Sequence, residues 1–213
     1  MRRLLALAFV LVSAVFVSGG AVVAPGSQFS DEQKATLDKV SAYLNSIHTL
    51  KGSFVQIDPN GQVEQGDFFI EKPGRMRFEY KPPAPTLIVS DGNTVAVKNS
   101  KLNTVDRYPL TDTPLDIILS NDIDLRHNSY VTGVGEQEGD LVVRARSNNN
   151  KSQGDIAIYF SRPGLELRQW TIKDAQGLST TVSLRDVEFG TPLPGTLFVL
   201  QDAKNPFTRK GEE

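Results

Sequence analysis

The sequence contains no cysteine. This excludes disulfides, thiolate nucleophiles, thiolate-held metals and the lipid-bearing cysteine of a lipobox. Only two histidines are present, His48 and His127, and they show no metal-ligand spacing. There is no G-x-S-x-G stretch, and no carboxylate pair stands apart from solvated surface charge. Gly133-Val134-Gly135 reads as a turn rather than a dinucleotide fingerprint, because no helix pattern follows it. Excess charge is also lacking. A formal net charge of −2 leaves no basic footprint for nucleic acid and too little field for steering. These absences point away from an enzyme and imply no cofactor and no metal. Tryptophan occurs once against eleven phenylalanines, so the apolar interior is built from Phe rings and aliphatics.

The chain has 213 residues, enough for one domain with a sizeable core. Its long apolar run stands at the start. Arg2 and Arg3 precede Leu4 to Val17, and small residues follow from Ser18 to Ala24. This is the layout of a secretory signal peptide, and the run is shorter than the ~20 residues that a membrane span needs. Residues 1–24 are therefore expected to be a signal peptide, cut near Ala21 or Ala24, with a single exported domain over 25–213.

The most patterned stretch is Gly66 to Asn99. Arg75, Arg77, Glu79 and Lys81 alternate with Met76, Phe78 and Tyr80, the period of a half-buried antiparallel strand. Carried back past Pro73, the same parity puts Phe68, Ile70 and Lys72 on the apolar face. Asp91-Gly92 supplies a tight turn between two further strands. Upstream, Ser30 and Gln33 form a capping-box pair ahead of Leu37, Val40, Leu44 and Ile47, an apolar helical stripe. Thr113 and Pro114 read as N-cap and first residue of a short helix carrying Leu115, Ile118 and Leu119. Such a helix cannot stand alone and must rest on something apolar.

Strand patterns resume with LVVRAR, DIAIYFS, LELRQWTIKD, LSTTVSLRDVEF and TLFVL, separated by turns at Asn148-Asn149-Asn150 and Gln176-Gly177. The apolar parity shifts between Leu167 and Trp170, which predicts a bulge. The tail beyond Asp202 reads as frayed. The expected fold is mainly β with short α-helices: a curved antiparallel sheet whose apolar face two amphipathic helices can cover.

Four stretches in this order resemble the LolA family, periplasmic carriers of outer-membrane lipoproteins in Gram-negative bacteria. They are LNSIHTLKGSFVQ, GDFFIEKPGRMRFEYKPPAPTLIVSDGNTV, TPLDIIL, and QWTIKDAQGLSTTVSL with the late Phe198. The resemblance implies an incomplete, half-open antiparallel β-barrel with a helical lid over a hydrophobic cavity. It also implies a periplasmic location and an acylated lipoprotein cargo. The cargo would be received from an inner-membrane LolCDE-type ABC transporter and passed to an outer-membrane acceptor, without ATP use by the carrier. A monomer is the default for such a shuttle.

By pattern alone the apolar residues are ordinary core. The resemblance makes Phe68, Ile70, Met76, Phe78, Tyr80, Val95 and Val97 an acyl-chain cavity wall, continued by Leu87 and Val89 or by their opposite parity. Leu37, Val40, Leu44, Ile47, Leu115, Ile118 and Leu119 then become the lid. Lys72 stands where the family's best-studied members have an arginine that hydrogen-bonds lid backbone, which makes it the candidate lid latch; the alternative is a strand-end lysine snorkelling to water. The family often has aromatics after the Ser-Asp-Gly turn, whereas Val95-Ala96-Val97 stand here. The competing readings are a LolA-like periplasmic sensor that binds lipid or lipoprotein, and a scaffold protein, which needs no lid.

Overall fold

A computed structural model of the chain describes residues 29–146 and 154–200. The expected signal peptide, the Asn148–Asn150 turn and the tail beyond Asp202 lie outside the described residues. Helix α1 spans Asp31–Ser46. It starts where the sequence dictates. Ser30 Oγ accepts the Gln33 N–H, and Gln33 Oε1 accepts the Ser30 N–H, so both halves of the capping box form. It ends at Ile47.

Six strands follow as a meander: β1 Thr49–Ile57, β2 Val63–Glu71, β3 Arg75–Tyr80, β4 Thr86–Asp91, β5 Thr94–Asn99 and β6 Thr104–Pro109. A connection through the 3-10 turn Leu110–Asp112 and helix α2, Asp116–Leu119, leads to the second meander. This comprises β7 Val131–Gln137, β8 Asp140–Arg146, β9 Asp155–Phe160, β10 Leu167–Lys173 and β11 Ser179–Phe189. All eleven strands form one antiparallel sheet in the order β6-β5-β4-β3-β2-β1-β11-β10-β9-β8-β7. The two meanders meet at β1–β11. The outer strands β6 and β7 do not pair, so the sheet is not closed into a barrel. No helix among the described residues is long and apolar enough to cross a membrane.

The register carries one face across the whole sheet. Val134 opposes Val143, then Ile158, Trp170 and Val182 in turn, and Val182 opposes Gln56 of β1. On the far side, Phe68 opposes Phe78 and Phe78 opposes Ile88, which opposes Val97. Val134, Val143, Val182, Ile158, Trp170, Phe68 and Phe78 of these rows join the apolar side of α1 in one core, with Ile88 and Val97 packed against it. The predicted irregularity in β10 is present as a register shift between Leu167 and Gln169.

Four local expectations are corrected. Gly133-Val134-Gly135 is part of β7, not a turn. The segment TLFVL gives a 3-10 turn, Gly195–Phe198, not a strand. Helix α2 begins after Leu115 rather than at Pro114, because Thr113 Oγ1 instead donates to the Leu110 carbonyl at 2.8 Å and closes the preceding turn. The fourth concerns β4. Leu87 and Val89 oppose Glu79 and Arg77, so they lie on the outer face, and Ile88 and Ser90 take their place inside. Val89 is nonetheless buried, as are Ala96 opposite it and Phe198 of the 3-10 turn, which rests against β3 and β4. Arg77 fixes that turn by donating from Nη1 to the Leu197 carbonyl at 3.3 Å.

Candidate functional site

The strands β1 to β3 bring Phe54, Phe68, Phe78 and Tyr80 together on the inner face, and Trp170 reaches them from β10. Phe54 packs edge-on to Phe78 at 5.0 Å and to Tyr80 at 4.9 Å. Phe68 stacks on Phe78 at 5.8 Å, and Trp170 meets Phe78 edge-on at 6.0 Å. These offset and edge geometries are the favoured ones for ring quadrupoles. Ile70 and Met76 extend the patch and Val95 is buried beyond it, while Val97 is half-buried. The Tyr80 hydroxyl donates to Gln56 Oε1 at 2.6 Å, and burial pushes its phenol pKa up.

Two glycines let the rings lie flat on the sheet. Gly52 opposes Phe68, and Phe54 opposes Gly66. A Cβ on Gly66 would lie 2.1 Å from the Glu79 carbonyl oxygen and 2.6 Å from the Phe54 ring; one on Gly52 would lie 2.9 Å from the Phe68 ring. Each ring thus covers the glycine of the neighbouring strand. Phe54 and Trp170 were not among the expected wall residues. The reciprocal spacing Gly52-x-Phe54 and Gly66-x-Phe68 was the available signal for Phe54.

The lid residues converge on this face. Leu37, Val40, Leu44 and Ile47 of α1 are buried, as are Ile118 and Leu119 of α2; Leu115 is half-buried and packs on the same core. They are fastened on two sides. The β2–β3 turn, Lys72-Pro73-Gly74, holds the C-terminal ends of both helices. Lys72 Nζ donates to the Leu44 carbonyl of α1 at 2.8 Å, and the Gly74 N–H donates to the Leu119 carbonyl of α2 at 2.9 Å. A cation at a helix C-terminus also complements the helix dipole. Burial pulls the Lys72 pKa below its ordinary value, and the nearby Asp122 carboxylate opposes that shift. Gly74 has φ +73 and its Cα side abuts Gly92, where a Cβ would sit 2.6 Å from the Gly92 carbonyl oxygen. The turn beside the lid therefore rests on the β4–β5 turn.

On the other side, α1 is tied to β7 and β10 by side chains. Gln33 Nε2 donates to the Val134 carbonyl at 3.2 Å, and the Leu167 N–H donates to the Tyr43 hydroxyl at 2.9 Å. The Tyr43 ring packs edge-on against Phe160 at 6.0 Å. Between the first turns of α1 and this half of the sheet runs a cleft of about 450 Å³ over Val134, Leu141 and Leu165, rimmed by Glu32, Lys39, Glu136 and Arg162. Among the described residues no group of His, Asp and Glu gathers that could hold a metal ion.

The structure is thus of the class in which an unclosed antiparallel sheet has its one apolar face covered by two helices. The chain belongs to the LolA family: the family model described as outer membrane lipoprotein carrier protein LolA matches residues 45–201. An outer-membrane lipoprotein carrier protein of Dechloromonas aromatica is 28% identical over 171 residues, covering 76% of this chain and 81% of that one. A protein of the same description from Cupriavidus taiwanensis is 24% identical over 201 residues, covering 86% and 92%. Among solved structures, a LolA superfamily protein from Nitrosomonas europaea superposes with a TM-score of 0.42 at 9% identity, over 79% of this chain and 98% of that chain.

Proposed function

We propose that this protein is a periplasmic lipoprotein carrier. Residues 1–24 direct its export, and residues 25–213 form a single carrier domain. It takes the acyl chains of a lipoprotein released from the inner membrane by a LolCDE-type ABC transporter, crosses the periplasm as a monomer, and delivers the cargo to an outer-membrane acceptor. The observation that carries this reading is the two-helix lid over the aromatic face, held on one side by a single turn.

The physical requirement is plain. Each buried methylene contributes about 0.8 kcal/mol, so a multiply acylated anchor does not cross water unaided. A carrier must cover that area and still release it. Phe68, Ile70, Met76, Phe78, Tyr80, Val95 and Val97, with Ile88 in place of Leu87 and Val89, are the acyl-chain wall under this reading. In the closed form the rings and the lid fill the space between them. Acyl chains displace the lid, and Lys72 serves as its latch. A closed state of modest stability shields the empty face and yields to cargo.

The test is to incubate the mature protein with spheroplasts making lipoproteins and look for a soluble one-to-one complex. A nonlipidated version of the same cargo is the control. Release of the lipidated form alone is the expected result. Lipid binding without release would move the assignment to a LolA-like lipid or lipoprotein sensor. No apolar binding at all would leave the inner face as plain core and end the proposal.

A further inference from the structure

Helix α1 carries a second stripe, polar and set beside the apolar one: Asp38, Ser41 and Asn45, spaced by three and four. It faces the irregular segment 121–126 that leaves α2. Asn45 Nδ2 donates to the Ile123 carbonyl at 2.9 Å, and the Ile123 N–H donates back to Asn45 Oδ1 at 2.9 Å. A neighbouring strand would make the same two bonds. One turn back, Ser41 Oγ accepts the Leu125 N–H at 3.0 Å and donates to the Leu37 carbonyl at 2.8 Å. Arg126 Nη1 then donates to Asp38 Oδ2 at 3.0 Å. The rungs run antiparallel, and the buried Ile123 and Leu125 alternate with exposed Asp122, Asp124 and Arg126. The helix thus supplies, through its side chains, the pairing edge that this segment lacks.

We infer that α1 and the segment 121–126, with α2 joined directly before it, form one mechanical body, and that Asn45 and Ser41 are the positioning residues that couple its parts. The body is anchored toward β7 and β10 through Gln33 and Tyr43. Its other margin lies at the Lys72–Gly74 turn, where each helix accepts one bond and α1 runs through Ile47 and His48 into β1. Loss of those two bonds then moves both helices together, because the rungs inside the lid outlast them. This goes beyond the carrier reading and needs no cargo, so either idea can fail alone.

The experiment is native-state amide hydrogen exchange on the full mature chain, without lipid, in rising sub-denaturing urea. In wild type, the amides of Leu44, Ile123 and Leu125 are expected to merge into one isotherm. Lys72→Met should speed all three by a common factor. Asn45→Ala should speed Ile123 and Leu125 by about tenfold and leave Leu44 unchanged. Separate isotherms in wild type would overturn the inference without any variant. So would a Lys72→Met effect confined to Leu44, or an Ile123 amide that stays protected in Asn45→Ala.

Discussion

Strands β1–β5 and strands β7–β10 share one apolar face but build it from different materials. The first half uses rings laid over glycines, with Phe54, Phe68 and Phe78 each at most 5% exposed. The second uses mostly aliphatics, Val134, Val143 and Ile158, with the two separate rings Phe160 and Trp170, and leaves a cleft beside α1. The lid follows the same division. It is tied to β7 and β10 through the side chains Gln33 and Tyr43, whereas toward β2 and β3 it ends on one turn. Each side has two such bonds, but on the aromatic side both come from the one turn Lys72-Pro73-Gly74, so a single catch holds that edge.

The largest test of that comparison is to truncate each half. Phe54→Ala removes a ring that touches two others, and its expected cost is roughly 3–5 kcal/mol; Ile158→Val, in the aliphatic half, should cost about 0.5–1.5 kcal/mol. Urea unfolding of both variants reads the difference, and equal losses would erase the distinction. Glycines give the next contrast. Gly66→Ala drives a Cβ into backbone and ring, with a loss on the order of 3 kcal/mol. Gly135→Ala on β7 meets open space and should stay within about 0.5 kcal/mol of wild type.

The legibility of the sequence follows the same physics. Arg75 to Tyr80 betrays its parity because one face is buried and the other charged. In β4 the parity is hidden, since TLIVSD is apolar on both sides. Val89 needs its apolar side chain because Phe198, more than a hundred residues later, belongs to the turn that rests on the outer face. β7 is obscured by Gly133 and Gly135, which an edge strand tolerates and a pattern reader takes for a turn. Alternation carried past Pro73 places Lys72 on the apolar parity, while its bond to helix backbone was implied only by the resemblance. The polar stripe of α1 does not declare itself: Ser41 and Asn45 gain meaning only once the alternating Ile123 and Leu125 are beside them.

A smaller effect separates the two fastenings. Lys72→Met keeps the aliphatic stem but loses the bond to Leu44, at an expected cost of about 1 kcal/mol, the low end for a half-buried charged donor. Under the carrier reading a weaker closed state raises the apparent affinity for an acyl chain, by about fivefold for that cost. Tyr43→Phe removes a side-chain-to-backbone bond on the anchored side, an uncharged one in which the hydroxyl accepts the Leu167 N–H, and should leave affinity unchanged. Titration with a fluorescent fatty acid distinguishes them. Equal gains in both variants would mean that neither side of the lid is the parting edge.

The smallest effect lies in the turn on which the lid's catch rests. The N–H groups of Thr94 and Asn93 each donate to Asp91 Oδ1 at 2.9 Å and hold its carboxyl below the ordinary value of 3.8. A carboxyl whose pKa is lower in the folded state contributes stability that is present above 3.8 and is lost as pH falls through the folded value. Acid should therefore loosen the β4–β5 turn, which abuts Gly74, and with it the aromatic margin of the lid. The amide shifts of Asn93 and Thr94 should titrate with a midpoint below 3.8 and stop doing so in Asp91→Asn, which retains an acceptor without the charge. A midpoint at or above 3.8 would mean that acid does not loosen the turn. The fastening of the β2–β3 side would then rest on Lys72 and Gly74 alone.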